Sequence, residues 1–234
     1  MSERGLVIVF AVFPGVTQLD FTGPHQVFSL LPGCEVIVAS VAGGTLESGS
    51  GLAFAGLRRL ADILACDIIC VPGGRGGTDN AIHDETFLGE FRRLAVAAQY
   101  VTSVCTGSLA LGAAGLLQGK RAACHWAWRD ALSLLGAIPA TGRVVRDGNI
   151  VTGGGVTAGI DFALSLVAEI AGPDVAQAIQ LQIEYAPAPP FDAGLPETAP
   201  PAILARVRGQ NAATAPQRRA AVEAAAARLA ARSV

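Results

Sequence analysis

The feature that most constrains the fold is a series of short, predominantly apolar runs, each ending abruptly in glycine, proline or a small polar residue. Residues 6–13, 35–41, 67–71 and 100–104 are such runs. Because they lack strict polar–apolar alternation, they read as strands covered on both faces rather than on one. Segments with helical spacing lie between them, at 19–31, 85–98 and 106–114. A strand buried on both faces needs helices above and below it, and alternating strands and helices supply them. The expected class is therefore α/β, with a mostly parallel central sheet and helices on both faces.

The rest of the chain fits around this frame. A glycine-rich stretch with one or two short strands runs up to Ala55, and Pro72-Gly73-Gly74-Arg75-Gly76-Gly77 reads as a loop. Residues 143–146 and 150–152, joined by Asp147-Gly148-Asn149, predict a hairpin. The run Gly153-Gly154-Gly155 then opens a helix over 156–171, and a second helix covers 174–183. Prolines over 186–201 exclude regular structure and predict an extended surface arm, since each fixes φ and removes a donor. The alanine-rich stretch 216–231, with Arg218, Arg219 and Arg228 and with Arg232 just beyond, reads as an ordinary solvated helix. Without an internal repeat or a composition break, residues 1–234 read as a single domain.

Composition narrows the partners. With a formal net charge of −2 and only 15% charged residues there is no basic face for a phosphate backbone, so a small molecule is expected and nucleic acid is not. Residues 6–13 are too few to span a bilayer, and the 156–171 helix carries Asp161 and Glu169, so no membrane partner is expected. Five cysteines, at 34, 66, 70, 105 and 124, form an odd set without metal-ligand spacing. They predict a reducing, cytoplasmic setting and no metal. Neither glycine run has the spacing of a P-loop or a dinucleotide fingerprint.

In a parallel sheet, ligands sit at the carboxyl ends of the strands. Three features fall there: the Asp20 segment, Gly73-Gly74, and Cys105. In Ser103-Val104-Cys105-Thr106-Gly107-Ser108 a strand stops and a helix begins, so the Cys105 sulfur is expected near free N–H groups that favour thiolate. The plainer reading of Cys105 is a small buried hydrophobe. Asp20, in Leu19-Asp20-Phe21-Thr22-Gly23-Pro24, sits among apolar residues, and burial favours its protonated form. A thiolate beside it would make the two share one proton, giving a nucleophile and a general acid. The Gly74 N–H is expected to be open to a ligand, forming with the Thr106 N–H an anion-stabilising pair. Of the histidines, His25 lies about a turn beyond Asp20, His83 in a polar loop, and His125 beside Trp126. A triad using one of them ranks below the Cys–Asp pair.

Taken together, Leu19-Asp20-Phe21-Thr22-Gly23-Pro24, Val71-Pro72-Gly73-Gly74, Ser103-Val104-Cys105-Thr106-Gly107-Ser108 and Thr152-Gly153-Gly154-Gly155-Val156-Thr157-Ala158-Gly159-Ile160-Asp161 resemble the ThiJ/PfpI superfamily, and within it the isocyanide-hydrating branch. The likeness runs from the first strand to about Pro201. The resemblance implies a flavodoxin-like three-layer sandwich, a homodimer, and hydration of an isocyanide to an N-formamide without metal or organic cofactor. It matches Cys105 to the nucleophile, Asp20 to the general acid, and Thr106 and Gly74 to residues around the thiolate, with Val156 on an apolar pocket wall. Aspartate where many members carry glutamate speaks for the hydratase branch, and Thr106 where peptidase-like members carry histidine speaks against proteolysis. Related ligand-sensing regulators add paired helix-turn-helix units, for which this chain is expected to have no room. The competing expectation is a non-catalytic redox or metabolite sensor in which Cys105 is read by oxidation.

Overall fold

The structure, a computed structural model, describes residues 5–232. The chain forms β1 (Leu6–Ala11), α1 (Gln18–Phe28), β2 (Cys34–Ser40), β3 (Gly44–Glu47), β4 (Ala53–Arg59) and β5 (Ile68–Val71). There follow α2 (Gly77–His83), α3 (Glu85–Ala95), β6 (Tyr100–Val104), α4 (Gly107–Ala113) and the two-residue strands β7 (Arg121–Ala122) and β8 (Ile138–Pro139). The hairpin β9 (Val144–Asp147) and β10 (Ile150–Gly153) leads into α5 (Ala158–Ala171), α6 (Pro173–Gln182), α7 (Pro201–Ala212) and α8 (Ala215–Arg232).

Eight strands make the central sheet in the order β3-β4-β2-β1-β5-β6-β10-β9. Every neighbouring pair from β4 to β10 is parallel, and only the edge strands β3 and β9 run antiparallel. Every residue of β5 and β6 is buried, as their apolar runs require. On one side α1, α5 and α6 pack together, with Phe28 bridging Phe10 of β1 and Phe162 of α5 at ring separations of 6.3 and 6.0 Å. The other layer contains α2, α3, α4 and α8. The result is the flavodoxin-like sandwich expected from the strand–helix alternation and the resemblance.

The order of strands positions the site. From β1 the chain moves to β2 on one side, and β5 then pairs with β1 on the other. A crevice opens where the order reverses, at the carboxyl ends of the strands. Val71 pairs with Ser103, which brings the ends of β5 and β6 almost level. Gly107, the first residue of α4, lets that helix start close against the end of β5: a Cβ there would lie 2.2 Å from the Val71 carbonyl oxygen and 2.9 Å from that of Pro72.

Three expectations change. The segment after the glycine loop is helical, so His83 ends α2 rather than sitting in a loop. The 186–200 stretch is irregular, as its prolines require, but the chain re-enters a helix at Pro201, where proline is well suited to a first turn. Finally, α8 is not simply a solvated helix. Arg218, Ala221, Val222 and Ala225 are buried along one face.

Candidate active site

The sharp turn from β6 into α4 places Cys105 at φ 60°, a left-handed conformation that residues with a side chain rarely adopt. Such a conformation costs about 1–3 kcal/mol and persists only where surrounding structure enforces it. Here the Cys105 N–H donates to the Gly153 carbonyl at 3.0 Å, and the adjoining Ser103 and Ser108 hydroxyls are 2.8 Å apart. Cys105 is buried, and Asp20, from the first turn of α1, is completely so.

The two glycines after β5 bind these elements together. The Gly73 N–H donates to Asp20 Oδ2 at 2.8 Å, while the Gly74 N–H donates to Thr106 Oγ1 at 3.1 Å. This corrects the expectation of an open Gly74 N–H: the Thr106 hydroxyl has already taken it. Thr106 Oγ1 also lies 2.9 Å from the Thr78 hydroxyl of α2. Asp20 Oδ1 makes no well-formed hydrogen bond, and the Cys105 thiol is the side chain that interacts with the carboxylate. At Gly73 a Cβ would fall 2.6 Å from Thr106 Oγ1 and 2.8 Å from Asp20 Oδ2. Only glycine fits between them.

Burial dominates the electrostatics. It pushes the Asp20 carboxyl from 3.8 to about 8, against the opposing pull of the Gly73 N–H and the Cys105 thiol. Burial, followed by the Asp20 and Cys124 charges, raises the Cys105 thiol well above its ordinary value, although the Thr106 N–H stabilises the sulfur as anion. The expectation of a thiolate set by the helix start is corrected in part. The N–H is in place, but desolvation outweighs it and favours the protonated form of both groups. The expectation of a protonated Asp20 agrees with the structure.

A cavity of about 170 Å³ opens on Cys105 and Thr106. Gly74, Val156, His125, Trp128 and Arg218 are among the residues lining it. Thus Cys105, Thr106, Gly74 and Val156 line one cavity, with Asp20 held behind the glycine loop. His25 lies elsewhere, on α1 against Phe10 with 6.0 Å between rings. His125 does line the cavity; its Nδ1 accepts from the Ala127 N–H at 3.3 Å, and burial keeps its proton affinity below the ordinary value. Arg218, from α8, is 2% exposed. Its Nε donates to Asp79 Oδ1 at 2.6 Å, and one terminal nitrogen donates to Gly74 O at 3.1 Å and also to Arg75 O. The guanidinium lies 4.7 Å from the centre of the Trp128 ring. Among the described residues, no group of three or more His, Cys, Asp or Glu is placed to hold a metal, and no helix is long and apolar enough to cross a membrane.

Residues 7–169 match the DJ-1/PfpI family. This chain belongs to that family. It is 52% identical over 224 residues to an isonitrile hydratase of Pseudomonas putida, spanning 96% of this chain and 98% of the relative. A ThiJ/PfpI family protein from Pseudomonas syringae superposes with a TM-score of 0.90 at 40% identity, covering 95% of this chain and 90% of that one. Oxidized DJ-1 of Toxoplasma gondii shares the fold, at a TM-score of 0.69 and 22% identity. All of that protein is matched by 78% of this chain.

The DJ-1/PfpI match ends before α6, so α7 and α8 lie beyond the shared segment. Arg218, Asn211 and Thr214 of the cavity wall come from this added part, and the sequence reading missed them. A signal was present. Arg218 stands three, four and seven residues before Ala221, Val222 and Ala225, which puts an arginine on the apolar face of the helix. Thr78 and Asp79 carried no comparable signal, because they meet Thr106 and Arg218 only through the fold.

Proposed function

We propose that this chain hydrates isocyanides to N-formamides, with Cys105 as nucleophile and Asp20 as general acid. The observation that carries the reading is the near full-length likeness to the Pseudomonas putida isonitrile hydratase. The buried Cys105–Asp20 pair supplies workable chemistry for it.

An isocyanide carbon is electrophilic once it gains a proton. Asp20, protonated up to about pH 8, delivers that proton as Cys105 Sγ bonds to the carbon, and the thiol proton refills the carboxylate. The product is a thioimidate. Water then adds across the C=N bond, its oxygen to carbon and a proton to nitrogen. The C–S bond breaks as the new hydroxyl becomes a carbonyl, its proton returning to sulfur through Asp20. Formamide leaves and the starting pair is restored. The Thr106 N–H, which favours negative charge on sulfur, supports both the attack and the departure. Val156 and Trp128 provide apolar wall for the uncharged substituent.

The reading includes a homodimer and a reducing, cytoplasmic setting; the five cysteines are all unpaired. Burial of Cys105 and its raised thiol weigh against the sensor alternative, which favours an exposed thiolate. Purified protein is expected to convert a simple aryl isocyanide to its formamide, with the rate falling as pH rises through about 8, where Asp20 loses its proton. Cys105→Ala and Asp20→Asn should each lower the rate by at least about 100-fold. Absence of formamide from the parent, or variants that match it, would sink the reading.

A further inference from the structure

Arg218 is connected to both reacting side chains through short paths. Its Asp79 partner sits next to Thr78 on α2, and the Thr78 hydroxyl is 2.9 Å from Thr106 Oγ1. Its other contacts, the carbonyls of Gly74 and Arg75, belong to the loop whose Gly73 and Gly74 N–H groups hold Asp20 and Thr106. Two adjacent glycines leave that loop conformationally free unless something anchors its far end. Arg218 is that anchor, with Asp79 compensating its charge and Trp128 covering its face. A lysine has one point of charge and cannot reproduce this fork.

We propose that Arg218 is a positioning residue: anchored on Asp79, its guanidinium holds the 73–75 backbone and, through Thr78, the Thr106 turn, and so aims the Gly73 and Thr106 N–H groups at Asp20 and Cys105. This assigns the C-terminal helix, which lies outside the 7–169 segment that matches the family, a part in tuning the reacting pair. It rests on the proposed function only in calling the pair catalytic.

The sign of the effect follows from the groups present. The Gly73 N–H favours the Asp20 carboxylate and the Thr106 N–H favours the Cys105 thiolate. Loosening either N–H, or removing the Arg218 charge, makes the pair hold its protons more tightly. The other titratable or charged groups near the pair are Cys70 on β5, Cys124 and His125 after β7, Arg129, and Arg75 on the glycine loop. Of these, Cys124 and His125 are themselves held lower by the Arg218 charge, so removing that charge also raises the Cys124 thiol and the His125 imidazole.

The test follows iodoacetamide alkylation of Cys105 against pH, read on the Cys105 peptide by mass spectrometry, in the parent, Arg218→Lys and Arg218→Met. Circular dichroism confirms that each variant is folded. The midpoint is expected to rise by about one pH unit in Arg218→Met, a roughly tenfold slower alkylation below the midpoint, and by a smaller amount in Arg218→Lys. The alkaline limb of formamide production should move the same way. A folded Arg218→Lys with the parent's midpoint would overturn the proposal, and this variant carries the test if Arg218→Met does not fold. Alkylation needs no isocyanide, so a parent that makes no formamide would refute the hydratase reading and leave this measurement to decide about Arg218.

Discussion

At Asp20 the two carboxyl oxygens have different surroundings, one bonded to the Gly73 N–H and the other without a well-formed partner. The apolar neighbours Leu19 and Phe21 already indicated a retained proton, and the structure raises the carboxyl from 3.8 to about 8. Stability follows from this shift. Below about pH 4 folded and unfolded chains are both protonated and the group has no net effect; as pH rises toward 8 the unfolded chain ionises while the folded one does not. Asp20 therefore increasingly destabilises the fold across that window. Asp20→Asn keeps an acceptor for the Gly73 N–H and is expected to match the parent near pH 4 and to exceed it by about 2–4 kcal/mol near pH 8. Urea unfolding at the two pH values measures the gap, and a gap independent of pH would contradict it. Cys105 was less legible. Its place at a helix start was visible in Val104-Cys105-Thr106-Gly107, but the depth of its burial was not, and burial decides the direction of its shift.

Among the elements, the parallel strands were the most legible, because a strand covered on both faces must be apolar along its whole length, as β5 and β6 are. The contact between α4 and the end of β5 depends on Gly107, whose missing Cβ is what lets the Val71 carbonyl approach. Gly107→Ala is expected to push the Cys105 turn away from the glycine loop, lowering stability by about 2 kcal/mol or more and abolishing formamide production. Thermal unfolding together with the formamide assay checks this; an alanine variant as stable and active as the parent would show that the turn can shift freely. Helices α2 and α7 were less legible than the strands. α2 has only seven residues and follows a glycine-rich loop, and α7 buries none of its side chains, so neither carries a strong apolar stripe.

For the whole molecule, the segment from α6 through the proline-rich arm exposes Leu181, Phe191 and Leu195 to 82%, 78% and 60%. Large apolar side chains exposed along one stretch of chain suit association with a second copy. Sedimentation equilibrium of the parent is expected to give twice the mass of one chain, and Leu181→Glu combined with Phe191→Glu should shift it to the monomer. A parent that sediments as a monomer would remove the homodimer from the proposed function. At this scale the sources of information separate cleanly. The sequence by itself determined the α/β class, the parallel core, the irregular arm and the presence of Cys105, Asp20 and Gly73-Gly74 at strand ends, because apolar periodicity and turn chemistry are local properties. Tertiary structure alone decided that both glycine N–H groups are occupied by site residues, that burial raises the Cys105 thiol, and that Arg218 lines the cavity from more than a hundred residues away in sequence. Each of these depends on which groups lose water together, and desolvation is set by packing in three dimensions rather than by neighbours along the chain.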